Sequence, residues 1–197
     1  MSVQNQLRWG GLVAMVAALL MIVAAGLRGF GVAPLAGQWA IFVYVILLTF
    51  AFTALYAAQA PRMGRLGFAG YVLAILGLGL TQVIAFLILA SFTGLAAAHE
   101  VQMFAWGPIP ILHLAVLANT LGGILFGAAT VRAGLFPRWT GLLLIAGEGA
   151  NLLHEYLLLL PVLMIVPAAL MAGAFAGLGW SLWAGAPKRA ARPLLAS

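Results

Sequence analysis

The stretch WGGLVAMVAALLMIVAAGL, residues 9–27, contains no charged side chain and no proline. A helix needs about 20 mostly apolar residues to cross the roughly 30 Å hydrocarbon core of a bilayer. The stretch has this length and character, so it predicts a membrane-spanning helix. Because lipid offers the peptide backbone no hydrogen bonds, a helix is also the conformation that such a segment must adopt.

Five more segments have the same character. With the first, they predict an all-α protein, a six-helix transmembrane bundle forming a single domain over residues 1–197, with spans at about 9–27, 39–60, 66–93, 106–131, 139–160 and 163–184. Pro61 and Pro161 separate neighbouring spans, because proline interrupts a helix. Residues 185–197 are expected to form a short basic tail in the cytoplasm.

The composition excludes several classes of protein. Hydrophobic residues make up 65% of the chain and charged residues 6%, whereas a soluble domain carries about 25% charged residues. A soluble enzyme and a disordered chain are therefore excluded. The nine basic residues are dispersed and form no run, so no nucleic acid is expected as a partner. The absence of cysteine excludes disulfides and thiolate metal sites. The partner that the composition indicates is the lipid bilayer.

The basic residues predict the orientation in the membrane. Eight of the nine basic residues flank the same side of the predicted bundle, and only Arg28 flanks the other side. The eight are Arg8, Arg62, Arg65, Arg132, Arg138, Lys188, Arg189 and Arg192. Short cytoplasmic loops carry an excess of Lys and Arg. The pattern therefore predicts a multi-pass protein of the cell (inner or plasma) membrane with both termini in the cytoplasm, which requires an even number of spans.

The acidic residues and histidines are confined to one part of the chain. They are His99, Glu100, His113, Glu148, His154 and Glu155. On the fifth predicted helix, a turn of 100° per residue brings Glu148, Asn151 and Glu155 within roughly 60° of arc. This arrangement predicts a polar stripe on one helix face.

Depth in the membrane brings further polar residues toward this stripe. From the rise per residue, His113 on the fourth predicted helix and His154 on the fifth lie at similar depths in the outer third of the membrane. Tyr44 and Gln82 reach similar depths on the second and third. His99 and Glu100 fall in the outer loop before the fourth. Asn119, in the inner half of the fourth helix, is interpreted as an ordinary helix–helix hydrogen-bonding residue, as is Thr120.

These residues predict a polar pocket that opens toward the outer side. Each ionisable side chain inside a membrane costs about 2.5–3.5 kcal/mol, so a cluster of them requires a reason. Glu148, the deepest, is expected to be neutral or paired with a histidine. The pocket is predicted to bind or transform a lipophilic small molecule. The catalytic candidates are Glu148, His154, Glu155 and His113, which suit acid–base chemistry. The ligand-binding candidates are Asn151, Gln82, Tyr44, His99 and Glu100.

Other readings of the same residues remain open. The cluster is also compatible with a hydrogen-bond network that only holds two helices in register. His113, His154 and Glu155 are candidates for two-histidine, one-carboxylate metal ligation, and a haem between the fourth and fifth helices is a further alternative. The chain is also compatible with a non-catalytic subunit or assembly factor of a larger membrane complex. The polar residues identify no cofactor and do not decide whether the protein is an enzyme.

The distribution of basic residues leads to a topological test. Tags at either terminus are expected to be accessible only from the cytoplasm, and a probe at Ala98 only from outside, because translocating the basic ends is unfavourable. Accessibility to membrane-impermeant reagents in intact cells measures both. A C-terminal tag that is accessible from outside would overturn the six-span topology.

Overall fold

The computed structural model describes residues 3–95, 111–158 and 160–185, and all regular structure within them is helical. The five α-helices are α1 (Val3–Gly29), α2 (Pro34–Phe92), α3 (Ile111–Ala133), α4 (Arg138–Leu153) and α5 (Ile165–Trp183). A π-helical turn (His154–Leu158) continues α4, and a 3-10 turn (Pro161–Met164) precedes α5. The predicted all-α class is confirmed.

Helix α2 is bent into two limbs, residues 34–63 and 65–92. A straight helix of 59 residues would be about 90 Å long, three times the thickness of a bilayer core. Gly64 interrupts it with φ 60° and ψ −160°, a left-handed conformation that glycine adopts without steric cost. The amide of Gln38 donates to the carbonyl oxygen of Ala85, and Tyr56 stacks on Tyr71. The two limbs therefore run antiparallel.

The remaining neighbouring helices in the bundle are also antiparallel, and they come closest at glycines, which have no side chain. Helix α1 meets the first limb at Gly10–Ala54, and the second limb meets α3 at Gly70–Phe126. Helix α3 meets α4 at Gly127–Gly141, and α4 meets α5 at Gly147–Met171. Helices α1 and α5 close the arrangement into a ring. A Cβ atom on Gly11 would lie 2.5 Å from the carbonyl oxygen of Gly179, and the reverse holds for Gly179 and Gly11.

The ring places most basic residues at one end of the bundle. The guanidinium of Arg8, at the start of α1, lies 4.9 Å from the ring centroid of Trp183 at the end of α5. The bend of α2 carries Arg62 and Arg65, and the α3–α4 connection carries Arg132 and Arg138. We call this the basic end. Arg28 belongs to the opposite end.

Among the residues that the structure describes, four helices are long and apolar enough to cross a membrane: Gln4–Gly29, Pro34–Phe92, Ile111–Ala133 and Val162–Trp183. Between 33% and 44% of their most apolar windows is buried in the bundle. More than half of the residues in these windows are therefore not buried in the bundle, which is compatible with a protein that is surrounded by lipid.

The helix boundaries differ from the predicted spans in two places. The break predicted between spans 39–60 and 66–93 is a bend within α2 and not a loop. The fifth predicted span, 139–160, changes character within its length, because α4 ends at Leu153 and a π-helical turn follows. The predicted count of six spanning helices stays a prediction.

The contact between Gly11 and Gly179 leads to a test of ring closure. Gly11→Ala is expected to lower the free energy of unfolding by about 1–3 kcal/mol, because the new methyl group meets backbone atoms that cannot move aside. Gly26→Ala on the same helix is the control, since nothing lies within 4 Å of its Cβ position. It should be neutral or stabilise by up to about 1 kcal/mol. Unfolding of both variants in detergent measures the difference, and equal stabilities would contradict the close α1–α5 contact.

Candidate functional site

A cavity of about 220 Å³ lies inside the ring, in the half that is remote from the basic end. All five helices contribute to its wall, including both limbs of α2. Polar side chains that line it are Arg28, Gln38, Tyr44, Thr81, Asn119, Glu148, Asn151, His154 and Glu155. Most of these come from α3, α4 and the π-helical turn, so one side of the cavity is polar.

The lining that faces this side is mostly apolar, although α1 also contributes Arg28 and the first limb contributes Gln38 and Tyr44. Its apolar part is formed by Met21, Leu48 and Ala168 together with aromatic rings. Phe52 is the lining residue of the first limb that is nearest the bend, and its ring makes edge contacts with Phe126 at 5.1 Å and with Phe175 at 5.2 Å between centroids. Edge-to-face aromatic pairs of this kind pack tightly. The three rings therefore close the cavity toward the basic end.

Glu148 is the most deeply buried ionisable group of the site, with 2% of its surface exposed. Its carboxyl group occupies the space that a side chain at position 123 would fill, since a Cβ atom on Gly123 would lie 2.5 Å from Oε1. Its Oε2 atom is buried without a hydrogen-bond partner. The hydroxyl group of Thr120 is adjacent but outside hydrogen-bond geometry. Gly123 thus contributes to more than helix packing: it makes room for the carboxyl group.

Asn119 lines the cavity, although it was not predicted to belong to the site. It lies one helical turn before Gly123 on α3. Its backbone packs against Gly77 of the second limb, and its Oδ1 atom is buried without a partner. The expected helix–helix hydrogen bond of this oxygen is therefore not formed. The sequence signal for Asn119 was its spacing of four residues from Gly123, because this spacing puts the two residues on one helix face.

Two further lining residues, Arg28 and Gln38, were not predicted as site residues. Arg28 is exposed at the end of α1, whereas Gln38 is buried and holds the two limbs of α2 together through Ala85. Tyr44 lies within electrostatic range of Arg28 and of both carboxyl groups of the cavity, those of Glu148 and Glu155. The signal for Arg28 was its position as the one basic residue on the predicted outer side.

The π-helical turn brings two consecutive ionisable residues to the cavity. His154 and Glu155, which are consecutive in this turn, both line the cavity. The Nε2 atom of His154 is 3.3 Å from the carbonyl oxygen of Leu160. Because a carbonyl oxygen only accepts, Nε2 carries the proton in this hydrogen bond. π-Helical turns are frequently found at functional sites.

His113 and Gln82 were predicted to belong to the same pocket, and neither lines the cavity. On α3 the lining residues Leu112 and Val116 share one face, and His113 is rotated by about 100° from Leu112. His113 instead borders a second pocket of about 20 Å³ together with Glu155 and Tyr156. That volume holds about one water molecule.

The remaining predicted residues are placed as follows. Gln82 is rotated by the same angle from the lining residue Thr81, and its amide nitrogen and oxygen are buried without partners. His99 and Glu100 lie outside the described residues. Of the candidate residues, the cavity therefore brings together Tyr44, Glu148, Asn151, His154 and Glu155.

The geometry of the site gives little support to the metal and haem alternatives. Within residues 3–95, 111–158 and 160–185, no three His, Asp or Glu side chains come together as a metal site. Helices α3 and α4 are in contact at Gly127 and Gly141, where a Cβ atom on either glycine would overlap the other's carbonyl oxygen. What the described residues offer is hydrogen-bond acceptors, proton-transfer groups and an apolar wall.

The contact between Gly123 and Glu148 can be tested by a double-mutant cycle. Gly123→Ala is expected to destabilise the protein by about 1–3 kcal/mol, because the methyl group overlaps the carboxyl group. In a Glu148→Ala background the same change should cost at least about 0.5 kcal/mol less. Gly149→Ala, with open space around its Cβ position, is the control. Strictly additive changes in the free energy of unfolding would show that the two residues do not touch.

Comparison of the chain with protein-family models gives no match, and neither do comparisons with curated proteins and with solved structures. No activity or ligand is therefore transferred from a relative. The functional argument rests on the cavity, on the side chains that line it and on the positions of the charges.

Proposed function

We propose that this chain is a multi-pass membrane protein whose cavity binds a lipophilic small molecule that carries a polar group. The observation that carries the proposal is the position of Glu148, a buried carboxyl group with an unpartnered oxygen at the wall of a cavity between the helices. Burying an ionisable group without a partner is costly. A ligand that hydrogen-bonds to this carboxyl group would offset that cost.

The proposed membrane topology has six spanning segments, with the basic end in the cytoplasm. It is supported by the bend of α2, which turns one long apolar helix into two antiparallel limbs. It is further supported by the pairing of Arg8 with Trp183, which puts the start of α1 beside the end of α5. With the excess of cationic residues at that end, the positive-inside rule assigns it to the cytoplasm. The cavity then lies in the outer half of the membrane.

The size of the cavity limits the ligand. Its volume of about 220 Å³ is below the about 300–1,000 Å³ typical of sites for drug-sized molecules. It therefore suits a small molecule, or the polar group and adjoining part of a longer one. The apolar wall around Phe52 and Leu48 receives the hydrocarbon portion, and the polar side toward α4 receives the head group.

Acid–base chemistry is the reaction that the polar side would support. Glu148 and Glu155 are carboxyl groups, and His154 presents an imidazole whose Nε2 is held by Leu160. A carboxyl group and an imidazole that face one ligand are able to give and take a proton, while Asn151 orients the ligand through its amide. Isomerisation of a lipophilic substrate by proton transfer would need only these groups.

Filling the cavity provides the test. Ala24→Leu adds bulk at a buried position on the cavity wall, so it is expected to displace the ligand. Val23→Leu, at the adjacent exposed position, is the matched control. Small molecules that co-purify with each variant are extracted and compared with those of wild type by mass spectrometry. A lipophilic compound should accompany wild type and Val23→Leu and be depleted about fivefold or more in Ala24→Leu, since overpacking by added bulk costs about 1–3 kcal/mol. Equal recovery from all three proteins would contradict ligand binding in the cavity.

A further inference from the structure

We propose that the ligand of this cavity carries a protonated amine, for which Glu148 is the counter-ion and Asn119 and Asn151 are hydrogen-bond acceptors. This inference rests on the proposed function, because it assigns the head group of the molecule that the cavity binds. The apolar wall opposite these residues makes the ligand a lipophilic amine.

The first argument is the charge of the cavity wall. Among the described residues that line it, two carry carboxyl groups, Glu148 and Glu155, and one carries a guanidinium group, Arg28. Arg28 is exposed at the rim, whereas Glu148 is buried deeper in the bundle. The described part of the chain gives Glu148 no basic partner, and its polar neighbour is the hydroxyl group of Thr120. A ligand with one positive charge supplies the counter-ion that an ionised carboxylate at this depth requires.

The second argument is the kind of hydrogen-bonding atom that is left without a partner. Among the side chains that line the cavity, the buried atoms without a partner are Oε2 of Glu148 and Oδ1 of Asn119; the hydroxyl group of Thr120 is also unpartnered but does not line the cavity. An amide oxygen only accepts hydrogen bonds, and so does an ionised carboxylate. Leaving such acceptors buried without a donor is unfavourable. A ligand that pairs with these atoms must therefore provide hydrogen-bond donors, which a carboxylate or ether head group does not have.

The third argument is the number and spacing of the acceptors. Asn119 lies one helical turn from Gly123, whose Cα packs against the Glu148 carboxyl group. Asn151 lies one turn beyond Glu148 on α4, and both line the cavity. A primary ammonium group has three N–H donors, one for each of these residues, whereas a hydroxyl group has one. A primary amine therefore matches this wall better than an alcohol does.

Four ligands with the same hydrocarbon chain separate charge from hydrogen-bond donation. They are octylamine, octyltrimethylammonium, octanol and octanoate. Binding to the full-length protein in nanodiscs of zwitterionic lipid is measured by equilibrium titration, with empty nanodiscs to subtract partition into lipid. Octylamine is expected to bind at least about tenfold more tightly than octanol and octyltrimethylammonium, because hydrogen-bonded charge pairs out of water are the strongest polar contacts. Octanoate is expected to bind most weakly.

Glu148→Gln tests the assigned counter-ion. The amide keeps the size of the side chain and removes its charge, so it should reduce the affinity for octylamine about tenfold or more and leave the affinity for octanol unchanged. Thr130→Val is the matched control: its hydroxyl group is also buried and unpartnered on α3 but does not line the cavity. It should preserve both affinities.

The outcomes distinguish this inference from the proposed function. If octanol or octanoate binds wild type as tightly as octylamine, and Ala24→Leu blocks that binding, the cavity binds ligands but the amine assignment is wrong. If Ala24→Leu leaves the binding of all four compounds unchanged, ligand binding in the cavity is itself wrong. If Glu148→Gln does not fold, the wild-type ligand series alone decides the assignment.

Discussion

Close approach of helix backbones at glycine is the interaction on which the rest of this bundle depends. Lipid is as apolar as leucine, so helices in a membrane gain little by burying apolar side chains and associate instead through close packing. Glycine contacts occur at five of the six interfaces around the ring, for example Gly11–Gly179 and Gly127–Gly141. The interface between the two limbs of α2 is the exception, where Gln38 and the stacked Tyr56 and Tyr71 make the contact.

These contacts are distributed unevenly along the bundle axis, and the cavity follows from that distribution. Gly10, Gly11, Gly70, Gly141 and Gly179 lie toward the basic end, where the backbones touch. In the opposite half the cavity lies between the helices, although α1 and the first limb still approach closely at Gly37, where a Cβ atom would lie 2.9 Å from Cγ of Arg28. Glu148 and Gly123 stand near the middle, at the boundary of the two regions. On its α4 side, α3 thus makes a close contact with a carboxyl group at this level, whereas on its α2 side its backbone still meets Gly77 at Asn119.

The sequence predicted where a side chain lies along its helix better than it predicted the direction in which that side chain points around the helix axis. Apolar length and the positions of the basic residues predicted a helical fold and the end at which the polar residues gather, since both depend only on distance along a helix. Which neighbouring helix a side chain faces depends on how each helix is rotated about its axis. That rotation separates His113 from Leu112 and Gln82 from Thr81. It also explains why Arg28 and Asn119 were not assigned to the site.

Irregular backbone was the other limit on prediction. The π-helical turn at His154–Leu158 has no sequence signature comparable to the prolines that mark other breaks in the chain. By contrast, Pro61 indicated a break in this part of the chain, and the structure makes the bend at Gly64. Proline and glycine report a bend through their own dihedral angles, whereas a π turn depends on the tertiary contacts around it.

Closure of the ring between α1 and α5 has a consequence for biogenesis. These two helices are the farthest apart along the chain, and a polypeptide is made from its N-terminus at about 5–20 residues per second. Every other interface joins segments that are consecutive in synthesis. In the proposed membrane topology, the interior that will hold Glu148 is bounded on one side by lipid until α5 is inserted. The last helix to be made is then the one that separates the cavity from lipid.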